Sequence, residues 1–396
     1  MFQKIDENVY FCGLNDRERK IFDELIPLHE GTTYNSFLIN GSDKVALIDT
    51  MYPLKKEEFI KNLDENNVSK IDYIIANHGE QDHSGALPDL IKKYPDAMIV
   101  TNNFCKNNIK EMLLIPEEKF ITVKNNDEIS LGNMTLRFIL APGVHWPDTM
   151  FTYLVEKELL FTCDFLGAHK TFDNVFAVEG EDLEKAAKRY YAEIMMPYRN
   201  LCKKYVKTVR DLSVKMILPS HGPVHKNPDY ILDLYEEWTD DKTKNLVLLP
   251  YVSMYGSVLE MVDYLAKKFE NAGIMAKKFD IVEGDLGEYA MDLVDANTII
   301  LGASTVLAGP HPAAMSGAYL TGVLAPKAKN LSIVGSYGWN GKLVELLAQN
   351  FSMLKAEILE PVVVKGKAKE DDYKKLDILA SSVIEKHKGN LWKKLY

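Results

Sequence analysis

The sequence predicts two α/β domains in one chain, and three observations support that fold class. The chain has 396 residues, of which 46% are hydrophobic, so it has enough length and apolar side chains for two cores. Its first part is β-rich with interleaved helices, and its last part alternates regularly between apolar strands and helices. A polar stretch at residues 238–243 separates the two parts, so we predict domains at residues 1–243 and 244–396.

Short apolar runs define the strands of the first domain. Polar or turn-forming residues follow each run, and a charged segment at residues 183–215 has helical periodicity. A layered β-sandwich gathers the loops at its strand ends along one edge, where side chains distant in sequence can meet. The predicted strands lie at residues 44–49, 71–77, 97–101, 129–139 (with a central turn), 150–155, 159–163 and 216–219.

The second domain is predicted to be a doubly wound parallel sheet, because its apolar strands are joined by helical crossovers. Helices are predicted to begin near Ser257, Gly287, Ala314, Gly341 and Glu370. The predicted strands lie at residues 245–250, 276–279, 298–301, 331–334 and 357–363.

Composition and charge exclude several classes of protein. A net charge of −10 argues against nucleic acid or an anionic membrane as the main partner, since both attract clustered Lys and Arg. None of the 4 cysteines forms a C-x-x-C pair, which argues against a disulfide scaffold, an iron–sulfur cluster or a rubredoxin-type iron site. With neither a signal-like N-terminus nor an apolar run of membrane-spanning length, we expect a soluble, cytoplasmic protein.

Candidate metal ligands crowd together directly after the apolar strand that ends at Ala76. A turn that holds two imidazoles and two carboxylates within six residues favours convergence on a metal ion over a solvated charged loop. Later strand ends carry further ligand-type side chains. We therefore predict a two-metal site with Asp164 between the ions. Its candidate ligands are His78, Glu80, Asp82, His83, His145, Asp164 and His221.

The types of these side chains favour iron over zinc. Three carboxylates and no thiolate make a hard, anionic site, which shifts preference toward iron or manganese. A hydrolytic dizinc site would more often carry a third histidine where Glu80 stands. His225 follows His221 by four residues and is a rival ligand, although the Pro-Ser-His-Gly context favours His221.

Three strand ends of the second domain predict a mononucleotide site. A hydroxyl-rich loop with a glycine leads into a helix at Ser257, a place where backbone N–H groups and the helix dipole bind phosphate. This loop lacks the spacing of dinucleotide and triphosphate loops. For this loop, the alternative is a serine N-cap with an incidental turn. For Trp339, the alternative is a packing role. The candidate residues are Ser253, Met254, Tyr255, Gly256, Ser257, Ser304, Thr305, Val306, Leu307, Ser336, Tyr337, Gly338, Trp339 and Gly341.

At these motifs the sequence resembles the flavodiiron protein family, from about Gly31 to the C-terminal helix and in the family's order. This sequence departs from the family pattern at two places. One is Val258, where a hydroxyl residue often closes the phosphate loop, and the other is Phe165-Leu166-Gly167. The matching stretches are Gly31-Thr32-Thr33-Tyr34-Asn35-Ser36, His78-Gly79-Glu80-Gln81-Asp82-His83-Ser84-Gly85, His145-Trp146-Pro147-Asp148-Thr149-Met150, Phe161-Thr162-Cys163-Asp164, Pro219-Ser220-His221-Gly222 and Ser253-Met254-Tyr255-Gly256-Ser257.

The resemblance implies a metallo-β-lactamase-like αββα sandwich with a non-haem diiron site, followed by a flavodoxin-like domain that binds FMN. It implies reduction of dioxygen to water, or of nitric oxide to nitrous oxide, with electrons passed from an external donor through FMN to the irons. The first iron would be bound by His78, Glu80 and His145, the second by Asp82, His83 and His221, and both by Asp164.

The resemblance also implies partners and further residues of the site. The donor would be a separate rubredoxin-like protein or a reduced deazaflavin cofactor. A head-to-tail homodimer, or a dimer of dimers, would bring the flavin of one subunit to the iron of the other. His169 and Tyr34 are candidate catalytic side chains near the iron, with a surface or capping histidine and a core tyrosine as the alternatives.

Two other functions stay open on the sequence alone. One is a dizinc hydrolase of the metallo-β-lactamase type with an appended flavodoxin module. The other is an electron carrier whose metal site has decayed, although the complete set of candidate ligands argues against it.

Overall fold

The chain forms two compact units, at Met1–Thr239 and Asp240–Tyr396. A computed structural model describes residues 2–339 and 342–392. The division falls inside the polar stretch at residues 238–243 that the sequence marks as a linker. Each unit has its own sheets and its own core, so each is described separately below.

The first unit contains two facing sheets. Successive side chains of a strand point to opposite faces, so Ala46 and Ile48 join the core between the sheets while Leu47 packs toward the helices. One sheet has the order Gln3–Asp6, Val9–Phe11, Phe37–Asn40, Val45–Ile48, Tyr73–Ile75, Met98–Asn102 and Phe120–Val123. The other has the order Glu128–Ser130, Thr135–Leu140, Met150–Leu154, Leu159–Cys163 and Met216–Pro219.

Helices cover the outer faces of these sheets. Phe59 and Leu90 pack behind the first sheet, and the ring of Tyr205 lies 5.8 Å from that of Phe151 behind the second. The αββα sandwich is therefore confirmed. The helices of this unit are Lys56–Glu65, Gln81–Ser84, Leu87–Lys93, Asn103–Leu113, Glu181–Tyr190, Arg199–Leu212 and Pro228–Thr239.

Two small antiparallel pairs lie outside the main sheets. Leu14–Asp16 pairs with Thr32–Tyr34, and Ile21–Phe22 forms a hairpin with Ile26–Pro27. The sequence-based strands did not include these segments or the others before residue 41, because each is only two to four residues long. Runs that short give only a weak pattern on their own, and pairing with neighbouring strands defines these segments.

The second unit is a parallel sheet with helices on both faces. Its strand order is Met275–Asp280, Leu246–Tyr251, Thr298–Val306, Asn330–Tyr337, with Glu357–Ile358 and Val362–Lys365 both at the far edge. In chain order this is the flavodoxin arrangement 2-1-3-4-5, which confirms the predicted fold. The helices are Ser257–Asn271, Leu286–Asp295, Pro312–Leu324, Leu343–Ala348 and Glu370–Trp392.

No helix among the described residues combines the length and the apolar character needed to cross a lipid bilayer.

Candidate metal centre and flavin site

The candidate metal ligands meet because both sheets present their loops at one edge of the sandwich. The segment from His78 to His83 follows the strand Tyr73–Ile75 of the first sheet. Two neighbouring parallel strands of the second sheet, Leu159–Cys163 and Met216–Pro219, end one residue before Asp164 and two residues before His221. The carboxyl ends of parallel strands lie at the same edge, so these loops converge.

Four of the side chains form a first group around one point. The Nε2 atoms of His78 and His145 each lie 3.2 Å from Oε2 of Glu80. The same two nitrogens each lie 3.6 Å from Oδ2 of Asp164. The ligand atoms of this group all lie within 4.8 Å of one another, which is the spacing of donors around a single ion.

A second group uses the other oxygen of Asp164. Its Oδ1 lies 2.9 Å from Nε2 of His83 and 3.4 Å from Nε2 of His221. Oδ2 of Asp82 lies 3.3 Å and 3.0 Å from the same two nitrogens. Asp164 therefore faces one group with each carboxylate oxygen, as a ligand shared between two ions would.

The electrostatics of this cluster suit metal cations. Oδ1 of Asp82 and Oδ2 of Asp164 are buried and accept no hydrogen bond from any described residue. Burial alone would lower the pKa of His83, but the charges of Asp164 and Asp82 outweigh it and raise that pKa to about 10. Burial raises the pKa of Asp164, but the surrounding histidines hold it well below its usual range. Buried carboxylates of this kind need positive charge beside them, so the residues present fit a pair of metal ions.

A further layer of hydrogen bonds orients the ligands. Nδ1 of His78 lies 2.8 Å from Oδ1 of Asp148, and Nδ1 of His221 donates to the carbonyl of Thr33 at 2.5 Å. The hydroxyl of Tyr190 donates to Oδ1 of Asp164 at 3.1 Å. Such contacts fix the tautomer and direction of a ligating imidazole. The sequence-based prediction gave none of these three residues a role, although Asp148 carries a weak signal as the third residue after His145.

His169 and Tyr34 both lie beside the second group. The ring centroid of His169 is 5.0 Å from that of His221, its Nδ1 is 2.9 Å from the hydroxyl of Thr32, and its buried Nε2 has no partner among the described residues. Tyr34 packs edge-on against His221 at 5.9 Å, and its hydroxyl accepts from Arg19 at 3.1 Å. His169 is thus half-buried, with its Nε2 atom shielded from solvent.

His225 lies away from both groups. It is buried, its backbone pairs with Ile217, and burial lowers the pKa of its side chain to about 4. Neither group of candidate ligand atoms includes it, whereas His221 belongs to the second group. This geometry favours His221 over His225 at this strand end.

The three predicted flavin loops lie at one edge of the second sheet. Tyr251 is paired with Gly302, and Gly302 with Val334, so three adjacent parallel strands run in register toward the same edge of the sheet. In this fold a ligand binds outside the carboxyl ends of the strands. Met254, Tyr255, Leu307 and Trp339 are exposed at this edge.

Polar groups and a left-handed glycine shape these loops. The hydroxyl of Ser253 accepts from the N–H of Leu259 at 3.2 Å, and Gly256 has a φ of +89° just before the helix Ser257–Asn271. The hydroxyl of Ser304 is buried and has no hydrogen-bond partner among the described residues. Val258 belongs to the hydrophobic core, so it contributes no hydroxyl to the loop.

Of the other candidates, Ser336 donates to the carbonyl of Gly366 at 2.6 Å. Thr305 and Val306 pair with Gly309–Pro310 in a hairpin. Gly341 lies outside the described residues.

Comparisons with known proteins connect this geometry to a family. A family model described as ODP family beta lactamase matches residues 32–222. A nitric oxide reductase of Moorella thermoacetica is 33% identical over 365 residues, covering 90% of each chain. A coenzyme F420H2 oxidase of Methanothermobacter marburgensis is 32% identical over 365 residues, covering 88% of this chain and 90% of that protein. The chain belongs to the flavodiiron protein family.

Solved structures agree with that assignment over both units of this flavodiiron protein. The structure of rubredoxin oxygen:oxidoreductase from Desulfovibrio gigas is similar with a TM-score of 0.94 and 27% identity, covering 99% of this chain and 100% of that one. A flavo di-iron protein variant from Thermotoga maritima gives a TM-score of 0.88 and 26% identity, covering 98% of each chain.

The family decides between the functions that the sequence left open. A flavodiiron protein is an oxidoreductase with FMN and two irons as cofactors, which confirms that prediction and does not support the dizinc hydrolase. The clustered histidines and carboxylates of the first unit fit that diiron cofactor.

Proposed function

We propose that this flavodiiron protein reduces dioxygen to water, nitric oxide to nitrous oxide, or both. The position of Asp164 carries the proposal, because its two oxygens face two separate groups of imidazoles and carboxylates. Two ions that share one carboxylate can act together on a small diatomic substrate. The names of two relatives, a nitric oxide reductase and a coenzyme F420H2 oxidase, support these activities.

The seven predicted ligands are proposed to hold the irons in the grouping that the distances support. His78, Glu80 and His145 would bind one iron, and Asp164 would bind both. The second iron would be bound by Asp82, His83 and His221. Iron supplies Lewis acidity and electrons when bound, and FMN supplies single-electron steps.

The site is proposed to open on the side of the first group. The side chains of Glu80 and His145 are 19% and 16% exposed, whereas those of His83 and His221 are 2% and 1% exposed. The ring of Trp146, 4.9 Å from that of His78, would lie beside this opening.

His169 and Tyr34 are proposed to act on the opposite, buried side of the centre. His169 has its Nε2 atom unused within the described residues, so it can form a hydrogen bond to a bound species. Arg19 donates to the oxygen of Tyr34, which leaves the O–H of Tyr34 able to donate elsewhere.

FMN is proposed to bind at the loop edge of the second unit. The loop from Ser253 to Ser257 would hold the phosphate at the N-terminus of a helix. The loops at Ser304–Leu307 and Ser336–Trp339 would border the isoalloxazine ring, with Trp339 exposed for stacking. Gly341 completes the proposed set.

The electron donor is proposed to be a separate rubredoxin-like protein or a reduced deazaflavin. The names of two similar proteins support one donor each, a rubredoxin oxygen:oxidoreductase and a coenzyme F420H2 oxidase. We also propose a head-to-tail homodimer, or a dimer of such dimers, because the ligand loops and the flavin loops belong to different units of the chain.

One experiment tests the activity and the cofactors together. The full-length protein is produced with iron freely supplied, its iron and flavin are measured, and it is reduced anaerobically. Dioxygen and nitric oxide are then added in separate pulses, and turnover of each gas is measured. We expect the reduced protein to consume at least one of the two. Protein that contains zinc but no iron, and that hydrolyses esters or thioesters, would instead support the dizinc hydrolase.

Replacing the shared carboxylate tests the metal centre specifically. Asp164→Ala is expected to abolish turnover and lower iron content while FMN stays bound, because the flavin loops lie in the other unit. Asp173→Ala is the matched control, since that carboxylate is 96% exposed and pairs with Arg17 on the surface. Full activity in Asp164→Ala would contradict the bridging role.

A further inference from the structure

We infer that the dipeptide Asp49–Thr50 is a positioning element that holds the loops of three candidate ligands in register. The inference rests on the proposed diiron function and names residues that the ligand set does not include. Asp49 directly follows the strand Val45–Ile48, is 2% exposed and has a left-handed φ of +52°. The dipeptide reaches the segments that carry His78, His83 and His221.

The carboxylate of Asp49 connects two of these segments. Its Oδ1 accepts from the backbone N–H of Asn77 at 2.9 Å, and its Oδ2 accepts from the side-chain amide of Asn77 at 3.0 Å. Oδ2 also accepts from the hydroxyl of Ser220 at 3.0 Å. Asn77 immediately precedes His78, and Ser220 immediately precedes His221. The side chain of Asp49 therefore fixes the backbone just before two candidate ligands, one in a loop that follows the first sheet and one in a loop that follows the second.

Thr50 holds the third segment. Its backbone N–H and its hydroxyl both donate to the carbonyl oxygen of His83, each at 2.7 Å. That carbonyl belongs to a candidate ligand in a single helical turn, Gln81–Ser84, which is too short to hold its own direction.

The contacts continue beyond the dipeptide to the shared ligand. The side-chain oxygen of Asn77 accepts from the hydroxyl of Thr152 at 2.7 Å, and the backbone carbonyl of Asn77 accepts from the N–H of Met150 at 2.8 Å. The N–H of Ser220 donates at 2.7 Å to the carbonyl of Cys163, the residue before Asp164. The network thus ties both sheets together directly behind the metal centre.

The hydrogen-bond donors around Asp49 favour the ionised form of its carboxyl group. Its carboxylate accepts from amide and hydroxyl groups and forms no ion pair with a lysine or arginine of the described residues. Since each of these partners donates, the ionised form is the one that accepts from all of them. Burial raises the pKa of Asp49, and these hydrogen bonds together with the positive charge of His83 oppose that rise.

The experiment compares metal affinity with fold stability in the full chain. Metal-free protein is titrated anaerobically with Fe2+ against a competing chelator, and its thermal midpoint and FMN content are measured separately. Asp49→Asn is expected to weaken Fe2+ binding about 10- to 100-fold, as the loss of a partner behind a metal ligand typically does, and to leave FMN unchanged. An asparagine at position 49 would present an N–H group toward Asn77 and Ser220, which are themselves donors there, so at least one hydrogen bond would be lost.

Asp72→Asn is the matched control for a purely structural effect. Asp72 is also a buried carboxylate, and its Oδ2 accepts at 2.9 Å from the N–H of Val45, at the opposite end of the same strand. This variant is expected to lower the thermal midpoint without changing Fe2+ affinity. If Asp49→Asn weakens Fe2+ binding no more than Asp72→Asn does, the inference is wrong.

Substitutions at Thr50 keep the inference testable even if Asp49→Asn fails to fold. Thr50→Val loses the hydroxyl donor and should weaken Fe2+ binding about 5-fold, while Thr50→Ser keeps it and should bind as the wild type does. Equal Fe2+ affinities of the Thr50→Val and Thr50→Ser variants would contradict the role of Thr50. Wild-type protein that binds no Fe2+ would contradict the proposed function itself, whereas a wild type that binds Fe2+ together with unaffected variants contradicts only this inference.

Discussion

At the scale of single residues, His78 is held at both ends of its ring. Asp148 lies 2.8 Å from Nδ1, while Nε2 points toward Glu80 and Asp164 in the first group. Burial alone would raise the pKa of Asp148, but the hydrogen bond and charge of His78 lower it. Asp148 therefore keeps the imidazole in the tautomer whose Nε2 is available to a metal ion.

Asp148→Asn is expected to weaken the first iron position. The amide lacks the negative charge that supports His78, so iron affinity should fall about 10- to 100-fold. The measurement is iron content after dialysis against a graded series of chelator concentrations. Asp89→Asn, at a carboxylate that pairs with Lys56 elsewhere in this unit, serves as the control. Equal iron retention in the two variants would argue against the role of Asp148.

Residue type and position after a strand are enough to predict which side chains gather at the centre. The same information does not identify Asp148, because its partner His78 is 70 residues away in the sequence. Tyr190 is similarly hidden inside a charged helix, and only the folded chain places its hydroxyl against Asp164. Side chains that support a ligand depend on tertiary contacts, which local patterns do not encode.

At the scale of elements, Gly256 joins a strand end to the helix Ser257–Asn271. An added Cβ would meet no atom within 4 Å, so only its left-handed φ of +89° restricts substitution. Gly273, just beyond the other end of the same helix, has a φ of +73° and equally open surroundings. The two glycines therefore differ mainly in their distance from the proposed phosphate loop.

Gly256→Ala is expected to weaken FMN binding about 10-fold, because an alanine held in the left-handed region costs about 1–2 kcal/mol that a flexible empty loop avoids. Gly273→Ala should carry a similar cost in thermal stability and leave FMN affinity unchanged. Fluorescence titration of flavin-free protein with FMN measures both variants. Similar FMN affinities in both would place the phosphate elsewhere.

The strands of the second unit show how far strand positions and strand ends can be predicted from the sequence. The predicted strand at residues 298–301 extends to Val306, because pairing with Asn330–Tyr337 and then with Gly309–Pro310 continues it. The predicted strand at residues 357–363 is two segments, Glu357–Ile358 and Val362–Lys365, interrupted around Pro361. Apolar runs locate a strand, whereas pairing partners and missing N–H donors set its ends.

At the scale of the whole molecule, the proposed head-to-tail dimer makes a clear prediction about mixed subunits. Asp164→Ala removes the shared metal ligand, and Gly256→Asp places a negative charge in the proposed phosphate loop. Each homodimer should be inactive. Random mixing makes about half of the dimers mixed, each with one complete flavin–iron pair, so activity should return to about a quarter of the wild-type value.

The mixing experiment compares the turnover of the two variants before and after joint unfolding and refolding or co-expression. Wild-type protein mixed with Gly256→Asp in the same way corrects for losses during exchange. If mixed dimers form and turnover stays at the level of the separate variants, the flavin serves the iron of its own chain and the head-to-tail arrangement is wrong.

The two-sided position of Asp164 also affects how the centre fills. In the proposed centre, an ion held by Oδ2 would draw electron density from the carboxylate and fix its rotation, so Oδ1 would be a weaker but better oriented donor for a second ion. The two proposed positions would then be linked by thermodynamic coupling, so that occupancy of one would change the affinity of the other. Stepwise loading of this protein should therefore follow a curve that two independent sites cannot describe.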